Sequence, residues 1–317
     1  MPDWPVSTLT EHDRSAADYS PQLQGVLHDY LASHQLNESF SRNIPLLYQP
    51  MADWLAKQHE RGKPLFVGIN GAQGSGKSTL TGLLKILLEK LHDRHVLSLS
   101  IDDLYLTLHE RKQLASSVHP LLITRGVPGT HDMSLASEIF DAIRRNDSSA
   151  PIVVPCFDKS IDDRLSRKDW SRIEGPIDIV LFEGWCVGAQ PQTDDELLDP
   201  VNELESREDP QAIWRSYVNE QLAGQYNVLF NQLDLLMMLK VPSMEQVYEW
   251  RGLQETKLKQ SSAEQAQGVM DTAGLKRFIM HYERLTRHQL DEMPQRADVL
   301  MPLDKNHQIA DVMLHPS

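Results

Sequence analysis

What this chain has little of narrows its chemistry before any motif is read. Its only cysteines, Cys156 and Cys186, are too few for a disulfide framework or a zinc-binding set. No apolar run approaches the length needed to cross a bilayer. The opening residues, Met1 to Ser7, lack the basic and apolar segments of a signal peptide, so a reducing cytoplasm is the expected compartment. Clustered Lys and Arg are missing as well, and the formal net charge is −14. A long phosphate backbone needs a basic track, so nucleic-acid motors and helicases are disfavoured. The 13 histidines form no H-E-x-x-H or other close set, which argues against a transition metal held by the protein.

What remains is an ordinary soluble composition, 40% hydrophobic and 24% charged over 317 residues. That length allows a full α/β core with some chain left for a small extension or lid. Residues 1–62 are polar with helical stretches near Pro21–His34 and Ile44–Gln58, and read as a helical extension ending at the turn-like Arg61-Gly-Lys-Pro64. From 63 to 317 short apolar runs alternate with helical patterns. Strands are expected at 65–70, 95–101, 151–157, 177–183, 233–241 and 297–302. Helices are expected at 77–92, 134–145, 208–224, 243–259 and 271–292. Such alternation predicts an α/β fold, a mainly parallel sheet with helices on both faces. No internal repeat is present, and the acidic stretch 193–209 reads as a surface loop.

One segment decides the class. Gly71, Ala72, Gln73, Gly74, Ser75, Gly76, Lys77 and Ser78 fit G-x-x-x-x-G-K-[ST] without a gap, between the apolar run 65–69 and a helical run from Leu80. Glycines let backbone N–H groups turn onto an anion, and the positive end of the next helix adds to that field. Lys77 can reach the β- and γ-phosphates and the Ser78 hydroxyl can ligate Mg²⁺. Four fixed positions match by chance in roughly one chain in a hundred of this length. The strand and helix around them make a mere flexible loop a poor competitor. The chain is expected to bind ATP through Gly71–Thr79, as a P-loop protein.

Two strand ends carry acids. The strand 95–101 leads into Asp102-Asp103-Leu-Tyr105, where a carboxylate can take the proton of an attacking alcohol or orient Mg²⁺ through water. The strand 177–183 ends in Glu183-Gly184, where phosphate-loop enzymes hold Mg²⁺. Both could instead begin solvated turns, a reading that the neighbouring glycine loop weakens. Gly184-Trp-Cys186-Val-Gly188 also fits a thiol-nucleophile elbow, but Ala-Gln-Pro-Gln follows where a helix would be needed. Cys186 is therefore read as packing. Arg125-Gly-Val-Pro-Gly-Thr-His131-Asp132 and Phe157-Asp-Lys159-Ser-Ile-Asp-Asp-Arg164 are charged loops that suit an anionic substrate or plain solvation equally well. Asp132 is also a good cap for the helix after it. Arg251 and Lys257, on a late helix, are candidate cations over the triphosphate, though an ordinary solvated helix face explains Arg251 equally well.

Together these residues resemble the phosphoribulokinase, uridine kinase and pantothenate kinase group of P-loop kinases. Within it the chain looks most like plant-type D-glycerate 3-kinase and its ATP-binding relatives in fungi and bacteria. The finer likeness rests on Arg125–Asp132, Phe157–Ser160, Glu183-Gly-Trp185 with Gly188, Trp250-Arg251, Phe278–Tyr282 and Ala297–Asp304. The resemblance implies phosphate transfer from ATP to a primary hydroxyl, with Asp102 as base and Lys77 as phosphate clamp. Ser78 and Glu183 would serve Mg²⁺, and Arg251 would sit in a lid. Asp103, Tyr105, Arg125, His131, Asp132 and Lys159 would line the site of a small hydroxylated, carboxylated acceptor, glycerate first. Pantothenate and uridine are the other kinase acceptors implied. A nucleotide switch with a protein partner is the competing class, but no N-K-x-D motif is found. The loop after Lys159 is shorter than the glycine-rich loop of the glycerate enzymes.

Overall fold

The computed structural model describes residues 19–145, 150–261 and 272–315. The part of the expected extension before residue 19 lies outside them. Three helices come first: α1 (Pro21–Ser33), α2 (Glu38–Asn43) and α3 (Gln49–Gln58). The first is started by Ser20, whose side chain accepts from Leu23 N–H, with Pro21 at the first helical position. Then come β1 (Leu65–Gly71), α4 (Lys77–His92), β2 (Val96–Ser100), α5 (Leu108–Ser117) and α6 (Met133–Arg145). Short strands β3 (Ile152–Val154), β4 (Phe157–Asp158), β5 (Asp163–Arg164) and β6 (Ser171–Ile173) precede β7 (Ile179–Gly184). Helices α7 (Glu203–Glu208), α8 (Ile213–Gln221) and α9 (Asn227–Phe230) follow, then β8 (Leu235–Lys240). The chain closes with α10 (Met244–Ser261), α11 (Thr272–Glu292), β9 (Val299–Pro302) and β10 (Met313–Leu314).

Six strands form one sheet in the order β10-β9-β8-β1-β7-β2, parallel except for β10. Side chains alternate across each strand, so the sheet sorts its own sequence into two cores. Val67, Ile69, Ile179, Leu181, Met237 and Leu239 pack with α1, α3 and α4 on one face. Phe66, Val180, Phe182, Leu97 and Leu99 pack with α6, α8, α9 and α11 on the other. In α4, Leu80, Leu83, Leu84, Leu87 and Leu88 recur at the helical spacing of one buried face. Each such side chain contributes about 1.5–3 kcal/mol when buried.

The amino end of the sheet carries a repeated device. Asp178, Asp234 and Asp298 each stand just before a parallel strand. Their carboxylates accept the backbone N–H of His95, Phe66 and Leu236 at 2.8, 2.7 and 2.7 Å on the strand alongside. Three acids thereby fix register at one end and leave the carboxyl ends free for chemistry.

Two expectations are corrected. The strand expected at 151–157 does not join the parallel sheet, because β3 pairs antiparallel with β6 in a separate ribbon. Its few apolar residues cover α6 rather than extending the sheet. The segment 193–209 is not merely an acidic surface loop. It contains α7, and Glu205 and Asp209 are only 0% and 1% exposed. Glu205 receives Arg284 and Asp209 receives Arg215, so these acids are paired inside the protein. Among the described residues no helix is long and apolar enough to cross a membrane.

Candidate active site

The glycine loop leaves β1 at the carboxyl end of the sheet and closes directly on α4. Gly74 and Gly76 take φ of 81° and 88°, backbone that side-chain-bearing residues rarely adopt. A Cβ on Gly71 would fall 2.5 Å from Ser75 Oγ and 3.2 Å from Leu239 Cβ, so a side chain there would push the Ser75 hydroxyl aside. Ser75 is buried, and its hydroxyl makes no hydrogen bond to the described residues. Lys77 opens α4, and Ala72, Gln73 and Thr79 complete the loop and its first helical turn. The Tyr30 hydroxyl of α1 donates to the Thr79 carbonyl at 2.6 Å, tying the leading helices to the base of the loop.

Of the next two strands across the sheet, β7 carries the acid Glu183 at its end and β2 is followed at once by two more. Ser78 Oγ donates to Glu183 Oε1 at 2.7 Å, so loop and strand meet at that carboxylate. Glu183 is only 7% exposed, and its Oε2 has no hydrogen-bond partner among the described residues. A buried, half-satisfied carboxylate beside a serine hydroxyl fits an oxygen-seeking divalent cation. Among the described residues no group of three His, Cys, Asp or Glu could hold a metal alone.

Past β2 the chain turns sharply through Asp102 and Asp103. Asp102 Oδ2 accepts from Lys159 Nζ at 2.6 Å, and Oδ1 from the Tyr105 hydroxyl at 2.8 Å. Burial pushes its carboxyl up, but Lys159, Lys77 and the Tyr105 hydroxyl outweigh that and hold it below its ordinary value. Asp103 goes the other way. Burial, with the negative charges of Asp102 and Glu183, raises it to about 6 despite an N–H bond from Phe157.

The loop 125–132 lies against this pair. Arg125 is ion-paired with Asp162, and its guanidinium stands 5.5 Å from the centre of the Phe157 ring. The fully buried Arg111 holds the same Asp162 carboxylate at 3.1 Å. His131 stacks on Tyr105 with ring centres 4.6 Å apart. Asp132 accepts Leu135 N–H and so caps α6, while its other oxygen takes Arg164 at 3.0 Å. The loop is clamped from behind. Tyr282 donates to the Arg125 carbonyl and Trp185 to the Gly126 carbonyl, each at 2.9 Å.

Two participants were missed in the sequence. Arg111 sits on α5, a helix that was not expected, although Thr107 and Glu110 form a capping box that marks its start. Tyr226, behind His131, has no local signal at all. Arg251, on α10, lies against the ring of Phe278 at 5.5 Å. The helix runs beside the loop, since a Cβ on Gly74 would fall 3.3 Å from Trp250 Cβ. The side chain of Lys257 lies outside the described residues. Cys186 is fully buried and its thiol is pushed far up by burial, which removes it as a nucleophile.

A glycine loop feeding a helix, with acids at or just past the ends of the next two strands of a parallel sheet, defines a P-loop kinase. No protein-family model matches the chain. Over 254 residues it is 32% identical to the uncharacterized kinase mug58 of Schizosaccharomyces pombe, covering 76% of this chain and 86% of that one. It is 29% identical over 228 residues to chloroplastic D-glycerate 3-kinase of Arabidopsis thaliana, covering 69% of this chain. That match spans 46% of the plant enzyme, about half its length. The structure of D-glycerate 3-kinase from Cryptococcus neoformans superposes with a TM-score of 0.70 at 27% identity, over 85% of this chain and 99% of that one. The chain belongs to this family of ATP-dependent kinases, and over 132 residues, 41% of its length, it is also 30% identical to the pantothenate kinase of Latilactobacillus sakei. It is a phosphotransferase with an alcohol group as acceptor.

Proposed function

We propose that the protein transfers the γ-phosphate of ATP to the primary hydroxyl of a small carboxylated alcohol, with D-glycerate giving 3-phosphoglycerate as the first candidate. The observation that carries this reading is the Asp102–Lys159 ion pair two strands from the glycine loop. It puts an ionised carboxylate and a cation together at one point. The glycerate kinases among the relatives make a carboxylated acceptor the first choice.

In this mechanism the loop Gly71–Thr79 binds the triphosphate through its backbone N–H groups, and Lys77 lies along the β- and γ-phosphates. Ser78 and Glu183 would supply protein oxygens to a Mg²⁺ ion bound with the nucleotide. Bound there, the ion would neutralise charge on the phosphate oxygens. Asp102 takes the proton of the acceptor hydroxyl as its oxygen bonds to the γ-phosphorus. The bond from that phosphorus to the β–γ bridging oxygen breaks, and ADP leaves with the electron pair. Arg125 and Lys159 receive the acceptor's carboxylate. Tyr105, His131, Asp132 and Asp103 shape the rest of its site, and Arg251 stands over the transferring group from the lid helix α10. Residues 63–317 form the kinase domain in this reading, and α1 and α3 before them brace α4.

ADP release from MgATP, with D-glycerate, L-glycerate, pantothenate, uridine or ribulose 5-phosphate added in turn, tests the proposal. Strong stimulation by D-glycerate with 3-phosphoglycerate as product is expected. Stimulation by another acceptor alone would replace the substrate, and ATP turnover indifferent to all five would count against the reading.

A further inference from the structure

His131 is buried to 4% exposure, and the environment of its two ring nitrogens differs sharply. Nδ1 lies 2.6 Å from the Tyr226 hydroxyl. Nε2 makes no hydrogen bond to any of the described residues. The proton between Nδ1 and Tyr226 can be located by counting. The Tyr226 oxygen already accepts the Gly129 N–H at 2.9 Å. Tyr226 is fully buried, and burial pushes its phenol far above its ordinary value, so it keeps its single proton. That proton has one recorded acceptor, the lone pair of His131 Nδ1. The reverse arrangement, with Nδ1 donating, would leave a buried phenol proton with nowhere to go, at a cost of about 1–3 kcal/mol.

Nδ1 is therefore unprotonated, and the neutral ring must carry its hydrogen on Nε2. Burial also lowers the imidazole to about 3, so it stays uncharged despite the nearby Asp102. Tyr226 reaches this place by an unusual route. It ends the wide turn Leu222–Tyr226 between α8 and α9, where Gly224 leaves helical geometry at φ −91° and ψ −115°. Wide turns of this kind often mark functional positions.

We propose that Tyr226 is a positioning residue that locks His131 as a neutral Nε2–H donor for an oxygen of the acceptor alcohol. A buried N–H without a partner is costly and calls for an oxygen lone pair, from a carboxylate or a hydroxyl. The same lock discriminates against an acceptor that would present an N–H or an ammonium at that point. The inference rests on the reading of the loop 125–132 as part of the acceptor site. Its first test needs no acceptor.

Long-range proton–nitrogen correlation spectra of histidine-labelled protein report the tautomer of each ring, with His131→Asn identifying the signal. His131 is expected as the Nε2–H form with Nδ1 accepting a hydrogen bond, and an Nδ1–H ring in the wild type would overturn the proposal. In Tyr226→Phe the Nδ1 resonance should move toward that of an unbonded ring nitrogen. The KM for whichever acceptor stimulates ADP release should rise about threefold to tenfold, the worth of one hydrogen bond. The KM for ATP should hold within twofold. Unchanged His131 signals and acceptor KM in a folded Tyr226→Phe would reduce Tyr226 to packing. Because the wild-type spectrum decides the tautomer by itself, a poorly folded variant cannot rescue a wrong assignment. Failure of every candidate acceptor in the ADP assay would sink the functional reading and leave the tautomer result standing.

Discussion

The two halves of the site are built on different principles. The nucleotide half is eight consecutive residues whose backbone makes the cradle, joined by one side chain from β7, Glu183. The acceptor half is assembled from side chains on the turn after β2, α5, the loop 125–132, the β4–β5 hairpin, α11 and the turn before α9. Tyr226 meets His131 across 95 residues, and Tyr282 meets the Arg125 carbonyl across 157. A cradle of backbone N–H groups constrains its own glycines and so writes a contiguous pattern. A pocket of side chains constrains residues far apart, and any one of them looks ordinary beside its neighbours.

The two halves should come apart under mutation, and Asp102→Asn is the sharpest cut. It keeps the shape and the Tyr105 hydrogen bond but removes the proposed base. We expect transfer to fall by about 10²–10⁴-fold, the usual worth of a general base. ATP binding, followed by titration with a fluorescent nucleotide, should stay within a few fold of wild type. Near-normal transfer by Asp102→Asn would end its assignment as base and erase the functional border drawn at β2.

Arg125→Ala probes the acceptor half alone. Asp162 keeps its second partner, Arg111, so the hairpin has a reason to stay in place. Loss of a charge-assisted contact to a carboxylate should raise the acceptor KM on the order of a hundredfold. Steady-state kinetics with each substrate varied in turn would show the ATP KM within about twofold if the halves are separate. A parallel rise in both constants would mean that Arg125 organises the whole site.

The same contrast explains how far the sequence could be read. The parallel sheet, the helix α4 and the glycine loop were visible because periodicity and glycine spacing are local properties. Asp102 and Glu183 stand out because one follows an apolar strand and the other ends one. The acidic stretch 193–209 misled, since charge density alone cannot reveal that Arg215 and Arg284 arrive to pair with Asp209 and Glu205. The run 151–157 misled as well, because its length and composition suit a sheet strand while only its partner decides which sheet. The capping box before α5 was legible and would have brought Arg111 within view. Nothing near Tyr226 distinguishes it from a core tyrosine.

Asp103 stands on the border between the halves, and its smallest expected effect is also the most specific. Its carboxyl is raised to about 6, first by burial and then by the charges of Asp102 and Glu183. Unfolded, an aspartate titrates near 3.9. The folded chain therefore binds this proton more tightly than the unfolded one. The stability that follows is fully present below about pH 4 and is lost as pH rises through 6. Above that range the wild type carries a penalised buried charge that Asp103→Asn lacks, while the amide oxygen can still accept the Phe157 N–H. The variant should be more stable at pH 7.5 by about 1–2 kcal/mol, a few degrees in Tm, after discounting for partial exposure. At pH 4.5 the gain should shrink to a fraction of that. Thermal unfolding in metal-free buffer at both pH values is the check. An equal gain at the two would trace the effect to packing, and would leave Asp103 outside the charge coupling that joins one half of the site to the other.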